Sequence, residues 1–313
     1  MRYYFAPMEG ITTYNFRQAY CRHYGGVEKY FTPFLSNRNM SGRERQEILP
    51  EHNAGMNTVP QILTNQTDIF LDIAKTAASY GYREVNLNLG CPSGTVVARK
   101  RGAGFLSVPG ELERFLDEIF SRCPVPISVK TRIGLTEPAE WERLLALYHK
   151  FPLKELIIHP RLQREGYGGR VHIEAFQAAS AVPGFPVCYN GDILSLDSGS
   201  LQYGSLGWLL AKQPDTDTVM LGRGLLRRPG MINGDDSLTT LRAFHDDILE
   251  GYRRIMSGDT NTLYKMKDLW TFLLPDGSGA GRPLKKVRKA QRLSDYEAAV
   301  DELFRFLENA GAS

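Results

Sequence analysis

One thiol in this chain stands between a glycine and a proline. It is Cys91, in the stretch Val85-Asn-Leu-Asn-Leu-Gly-Cys-Pro-Ser-Gly94, with two asparagines just upstream. Gly90 and Pro92 constrain its backbone where a strand pattern runs out. A free thiol has a pKa of about 8.5 and is protonated at neutral pH, so it can hand a proton to a developing carbanion. With a lowered pKa it would serve as a base or nucleophile instead. Cys188 sits in a strand pattern and Cys21 in a helical one, and both read as packing residues. Cys123, beside Pro124, has no evident partner. The four cysteines form no CxxC pair, so neither a zinc site nor a disulfide framework is expected.

Other reactive types recur at strand ends. Pro7-Met8 follow the first strand pattern, Gln61 lies in the third, and Asn88 precedes the thiol. Lys130-Thr-Arg132, His159-Pro-Arg161, Asn190-Gly-Asp192 and Gly222-Arg223-Gly224 close the next four. The two glycine turns suit a phosphate, held by backbone N–H groups and Arg223. A phosphate-bearing cofactor such as FMN fits them; a Rossmann dinucleotide does not, since no GxGxxG follows the first strand. Lys130 can balance negative charge on a reduced flavin ring, form an imine, or simply reach solvent. His159 can serve a cofactor or only the fold.

Eight strand-like runs must position these groups: Tyr3–Ala6, Lys29–Pro33, Thr58–Leu63, Glu84–Leu89, Ile127–Arg132, Glu155–His159, Val187–Asn190 and Thr218–Leu221. Helical patterns lie between them. Phe70, Ile73, Ala74 and Ala77 mark one face, with Gly81 at the C-cap; Leu112 to Phe120 and Trp141 to Tyr148 mark two more. Alternation of this kind predicts a parallel sheet, and eight units predict a closed (β/α)8 TIM barrel with ligands at the C-terminal strand ends. Past residue 236 the strand signals stop. Leu241 to Ile255 suit one helix face, and Ser294-x-x-Glu297 reads as a capping box before another amphipathic helix. Residues 275–283 read as a loop. The expected division is a barrel over 1–236 and a small all-helical domain over 237–313.

The 313 residues carry a net charge of +3, too little to prove a polyanion partner, but the distribution is uneven. Arg282, Lys285, Lys286, Arg288, Lys289 and Arg292 form a basic run without an acidic residue, and Arg99-Lys100-Arg101 form a shorter one. No stretch approaches the roughly 20 apolar residues of a membrane span. No apolar leader opens the sequence. A cytoplasmic protein is expected, with no membrane and no metal, and a monomer.

Taken in order, these pieces resemble the tRNA-dihydrouridine synthase family. The likeness rests on APMEGIT at the start, NLNLGCPSGTVVARKRGAGFL from Asn86, VKTRIG from Val129, IHPRLQREGYGG from Ile158, YNGDI from Tyr189 and VMLGRGLL from Val219. The Gly-Cys-Pro segment is the most specific, and the chain departs from the family at Pro160, where many members have glycine. The resemblance implies an FMN barrel and a tRNA-binding helical domain, with NADPH as reductant. It implies that Pro7 and Met8 lie along the flavin, mainly through backbone contacts. Gln61 and Lys130 would bond its polar edge, with His159 beside it. Asn190, Gly191, Asp192, Gly222 and Arg223 would hold its phosphate. Asn88, Arg132 and Tyr167 would grip a uracil, Cys91 would donate the proton, and the two basic runs would contact tRNA phosphates. The rival readings are a dihydroorotate dehydrogenase-like enzyme acting on a free pyrimidine, a lysine aldolase, and a non-catalytic RNA chaperone.

Overall fold

The structure is a computed structural model that describes residues 1–274 and 280–311. Residues 275–279 of the expected loop lie outside the described residues. The chain divides into two compact units, one of residues 1–7 and 28–221, the other of residues 8–27 and 222–313.

The first unit is built on strands β1 (Arg2–Phe5), β2 (Lys29–Phe31), β3 (Thr58–Val59), β4 (Gln61–Ile62), β5 (Val85–Leu89), β6 (Ile127–Arg132), β7 (Leu156–His159), β8 (Val187–Tyr189) and β9 (Thr218–Leu221). Every pairing is parallel, in the order β3-β2-β1-β9-β8-β7-β6-β5-β4. The two ends of that order are consecutive in the chain and flank Pro60, which has no N–H to give a ladder. β3 and β4 are therefore two halves of one strand, and the sheet closes on itself as an eight-stranded barrel.

Side chains alternate along each strand, and this alternation places the site. Tyr4, Ala6, Phe31, Val59, Ile157, Cys188 and Met220 form one buried cluster, so their faces point inward. Two residues along on those faces stand His159 and Asn190, near the C-terminal ends of β7 and β8. At the opposite end a buried cation is doubly paired: Lys29 Nζ lies 2.9 Å from Glu84 and 3.2 Å from Glu155, which also accepts from Tyr4 Oη at 2.9 Å. Charges at that face of a barrel serve stability, the chemistry lying at the other. The surrounding helices follow the expected periods. Thr67–Ser79 ends in a Schellman motif, with Tyr82 N–H on Ala77 O, Gly81 N–H on Ala78 O, and Gly81 at φ +91°.

The second unit is helical: Tyr14–His23, Leu238–Ile255, Asp259–Leu269, Gly281–Lys289 and Leu293–Gly311 are its longer elements. Its early segment belongs there through aromatic packing. Phe16, Tyr20 and Tyr24 surround the Phe244 ring at 5.4, 6.2 and 5.3 Å. Asn15 bonds Ile248 O in the space that Gly251 leaves; a Cβ there would sit 1.8 Å from Asn15 Oδ1. A buried network, His245–Tyr296–Trp270, ties the later helices together. Two local expectations change. Residues 281–283 open a helix instead of ending a loop, Pro283 being tolerated in a first turn. Ser294 lies inside its helix, which begins at Leu293, and not before it.

Candidate active site

At the C-terminal end of β5, the side chain of Asn88 organises the turn that carries the thiol. Its Oδ1 accepts from the backbone N–H of Gly90 and of Cys91, each at 3.0 Å, and its Nδ2 donates to Gln61 Oε1 at 2.7 Å. Gln61 in turn donates to Asn86 Oδ1 at 2.9 Å, and Asn86 to Ser128 Oγ at 3.0 Å. This relay runs from β4 across β5 to β6, and each member is buried. Two backbone donors fix which end of the Asn88 amide is oxygen, and that choice orients every amide behind it. From the other side Gly102 presses on the thiol residue. It has φ +55°, and a Cβ there would lie 2.9 Å from both Cys91 Cβ and Cys91 O. Ala103 N–H bonds Cys91 O at 3.1 Å. The Gly-Ala-Gly continuation of the motif is therefore the back wall of the cysteine turn.

Lys130 is the register partner of Asn88 across the β5–β6 ladder. Its amine makes no hydrogen bond or ion pair with the described residues. Burial, reinforced by the nearby Arg132 cation, pulls its pKa down to about 8. Arg132 is 1% exposed and donates through Nε to Gly90 O and through Nη1 to Leu162 O, both at 2.9 Å. Its guanidinium lies 5.5 Å from the Tyr167 ring, half exposed on the loop after β7. The Tyr167 ring lies 6.0 Å from that of His159. Gln61, Asn88, Cys91, Lys130, Arg132, His159 and Tyr167 thus gather at one rim.

The turn after β8 has contacts of its own. Asn190 Nδ2 donates to Met220 O at 2.8 Å, fastening β8 to β9. Gly191 is required by the chain itself, since a Cβ there would meet the Tyr189 hydroxyl at 2.1 Å. The Asp192 carboxylate pairs with Arg161 and accepts from Tyr203 Oη at 3.2 Å. Its side chain is thereby neutralised, and a phosphate would meet backbone there. Pro7 ends the first stretch of this unit. Met8, Gly222 and Arg223 belong to the second unit. There Met8 N–H is taken by Thr12 Oγ1 at 2.8 Å and its carbonyl accepts from Ile11 and Thr12 N–H, each at 3.0 Å, within a turn. Gly222 precedes the short helix Arg223–Arg227.

The basic runs separate into spent and open charges. Lys286 Nζ pairs with Glu302 at 2.6 and 2.8 Å, and Arg288 donates twice to Trp270 O at 3.0 and 2.6 Å. Both are engaged within the helical unit, Arg288 satisfying a carbonyl at a helix end. Arg282, Lys285, Lys289 and Arg292 are exposed, without an ion pair among the described residues. Arg282, Lys285 and Lys289 line a groove of about 710 Å³. In the first unit, Lys100 pairs with Glu111 at 3.3 Å, Arg101 leans on Asn65 at 3.4 Å, and Arg99 is exposed.

Sequence reasoning assigned no role to Arg161, Asn86, Ser128 or Gly102. Asn86 was readable, standing two residues before Asn88 on the same strand face. The other three owe their roles to specific contacts that the fold makes. Among the described residues, no group of His, Cys, Asp or Glu could hold a metal ion, and no helix is long and apolar enough to cross a membrane.

A family model described as dihydrouridine synthase (Dus) matches residues 4–258. The tRNA-dihydrouridine(16) synthase of Aquipseudomonas alcaligenes is 30% identical over 240 residues, 72% of each chain. The tRNA-dihydrouridine synthase B of Pasteurella multocida is 25% identical over 246 residues, 76% of this chain and 69% of that one. Among solved structures, morphinone reductase aligns with 74% of this chain and 84% of its own at 12% identity and a TM-score of 0.47, a likeness that carries no argument here.

Proposed function

We propose that this chain, which belongs to the dihydrouridine synthase family, reduces the C5=C6 bond of uridine in tRNA to 5,6-dihydrouridine. One observation carries the reading furthest: an Asn88-anchored thiol shares its rim with an amine that has no partner among the described residues. That Lys130 amine fits a cofactor that brings acceptor atoms to it, and FMN brings them on its ring edge. Gln61 and Lys130 would hold that edge, His159 and Pro7 would flank it, and the Asn190-Gly191-Asp192 backbone would take the phosphate. Bound there and reduced at the expense of NADPH, FMN would supply hydride to C6 of the pyrimidine.

The chain's own residues do the rest. Cys91 delivers a proton to C5, quenching the charge left on C5 and O4. Asn88 contributes in two ways: its oxygen holds the Cys91 turn, and its amide has a second N–H to offer a uracil carbonyl. Arg132, pinned by two carbonyls, keeps Nη2 for the same purpose, and donors set in place before charge develops are the most effective kind. Tyr167, half exposed, is suited to lie against a base. A uridine reaches this mouth only after leaving its stack, which costs about a few kcal/mol that contacts to the tRNA body must offset.

We assign those contacts to Arg282, Lys285, Lys289 and Arg292 in the helical region 237–313, with Arg99 in the first unit. Replacing the four by Ala should weaken tRNA binding and flatten its salt dependence, by roughly 0.7–0.9 in log–log slope for each phosphate no longer neutralised. Filter-binding titrations at several salt concentrations measure this; an unchanged slope removes the assignment. The function itself is tested by mapping dihydrouridine in tRNA from cells with and without the gene, alongside the visible spectrum of the purified protein. Transcribed tRNA left unmodified by a yellow protein whose colour NADPH bleaches would end the proposal.

A further inference from the structure

We propose that Arg161 is a positioning residue: one buried guanidinium fixes the proton of His159 on Nδ1 and ties the Tyr167 loop to the turn after β8. The proposal rests on reading this mouth as the site of uridine reduction. Its geometry begins with Pro160. Arg161 N–H bonds His159 O at 2.7 Å, a two-residue closure with proline at its centre. An inverse γ-turn needs φ of about −75° at that position, and proline is locked at about −65°. The proline where a glycine is common thus turns Arg161 back over His159.

The Arg161 side chain is fully buried and its donors are shared among five groups. Nη1 meets His159 Nε2 at 3.2 Å, Nε meets Gly168 O at 3.0 Å, and Nη2 serves Gly169 O, Asp192 Oδ2 and Tyr203 Oη. A guanidinium has no acceptor. His159 Nε2 must therefore accept, which leaves the ring neutral with its proton on Nδ1. A proton on Nε2 would point at an arginine N–H. The charged and titratable groups around His159 are Arg132, its register partner on β6, Arg161 and Tyr167 on its own loop, and Asp192 after β8. Arg161 itself is balanced by Asp192.

The same side chain holds the loop. The two carbonyls it captures, Gly168 and Gly169, directly follow Tyr167, and Glu165 closes the base of the loop on His172 at 2.8 Å. Lysine carries one point charge on a flexible stem and cannot reproduce this planar fork. The Tyr167 ring and the His159 imidazole therefore owe their relative placement to a residue that touches no substrate.

Nitrogen-15 NMR of the labelled full chain tests the tautomer, with His159→Asn identifying the signal among six histidines. The expected result is an Nδ1–H neutral ring that does not titrate down to the pH limit of the folded protein. In Arg161→Met and Arg161→Lys, kcat should fall on the order of 100-fold, as for misplacement by about 1 Å, with KM for tRNA little changed. Both variants should gain an acid limb at about 6.5, the ordinary histidine value. An Nε2–H signal, ordinary titration of His159 in the parent protein, or an Arg161→Met kcat equal to the parent's would overturn the proposal. The spectrum needs no turnover, so failure of the tautomer and failure of uridine reduction are read separately, even where a variant does not fold.

Discussion

Cys91→Ala is expected to give a protein that keeps its flavin colour and its affinity for tRNA while turning over about 10²–10⁴-fold more slowly, the usual worth of a positioned proton donor. The substitution is clean because the turn does not depend on sulfur. Asn88 holds it through the backbone N–H groups of residues 90 and 91, and Ala103 and Gly102 support it through Cys91 O and Cβ. Alanine retains every one of these. What disappears is only the thiol. The measurement is single-turnover reduction of tRNA with pre-reduced protein, which separates chemistry from binding. Parent-like rates would mean that the proton reaches C5 from water or another residue, and the assignment of Cys91 would be withdrawn.

Lys130→Met is expected to act in opposite directions on two properties. In the protein without cofactor the Lys130 amine has no partner among the described residues, and burial and Arg132 both disfavour its charge. Below pH of about 8 that penalty is fully present, because folded and unfolded chains both carry the proton. Between there and the free lysine value of about 10.4 the unfolded chain binds more protons, so stability rises with pH and then levels off. Methionine removes the penalty, so the cofactor-free variant should resist denaturant better than the parent at neutral pH. Flavin affinity should move the other way. A hydrogen bond from a charged donor is worth about 1.5–3 kcal/mol, so its loss should weaken binding by roughly 10–150-fold. A cofactor that pairs with the amine also raises its pKa. Binding by the parent protein then takes up a proton above pH of about 8, and affinity falls by up to about tenfold per pH unit. Fluorescence titration of flavin across that range should show the slope in the parent and none in the variant. Equal affinities and equal slopes would show that Lys130 does not meet the cofactor.

Much of the rim was legible because strands alternate. Once Ile157 and Cys188 are read as inward, His159 and Asn190 must follow them two residues on, whatever the rest of the chain does. The same rule made Asn86 readable as a companion of Asn88. The helices were legible for a similar reason: a face repeated every three or four residues states which side is buried, and Gly81 states where the turn ends. The Gly-Cys-Pro motif marked the thiol, but its physical meaning lay elsewhere. That Asn88 anchors the turn, and that Gly102 is the wall behind it, depends on atoms brought together by the fold.

Other residues have duties within the fold that the sequence does not state. Arg288 read as a phosphate ligand and is spent on Trp270 O, and Lys286 is paired with Glu302 across two helices. Gly191 read as room for a phosphate, and its first duty is to Tyr189. Residues 8–27 read as part of the barrel, and their aromatic side chains pack around Phe244, more than 200 positions away.

By itself, then, the amino-acid order determined the barrel, its inward faces and the types of group at the rim, since each follows from local periodicity in one short segment. Tertiary structure alone decided which amide oxygen faces the cysteine turn, which cations remain open, and which nitrogen of His159 bears its proton. Those choices belong to individual hydrogen-bond partners, and such a pairing, even between residues 2 to 18 positions apart, leaves no periodic trace in the sequence.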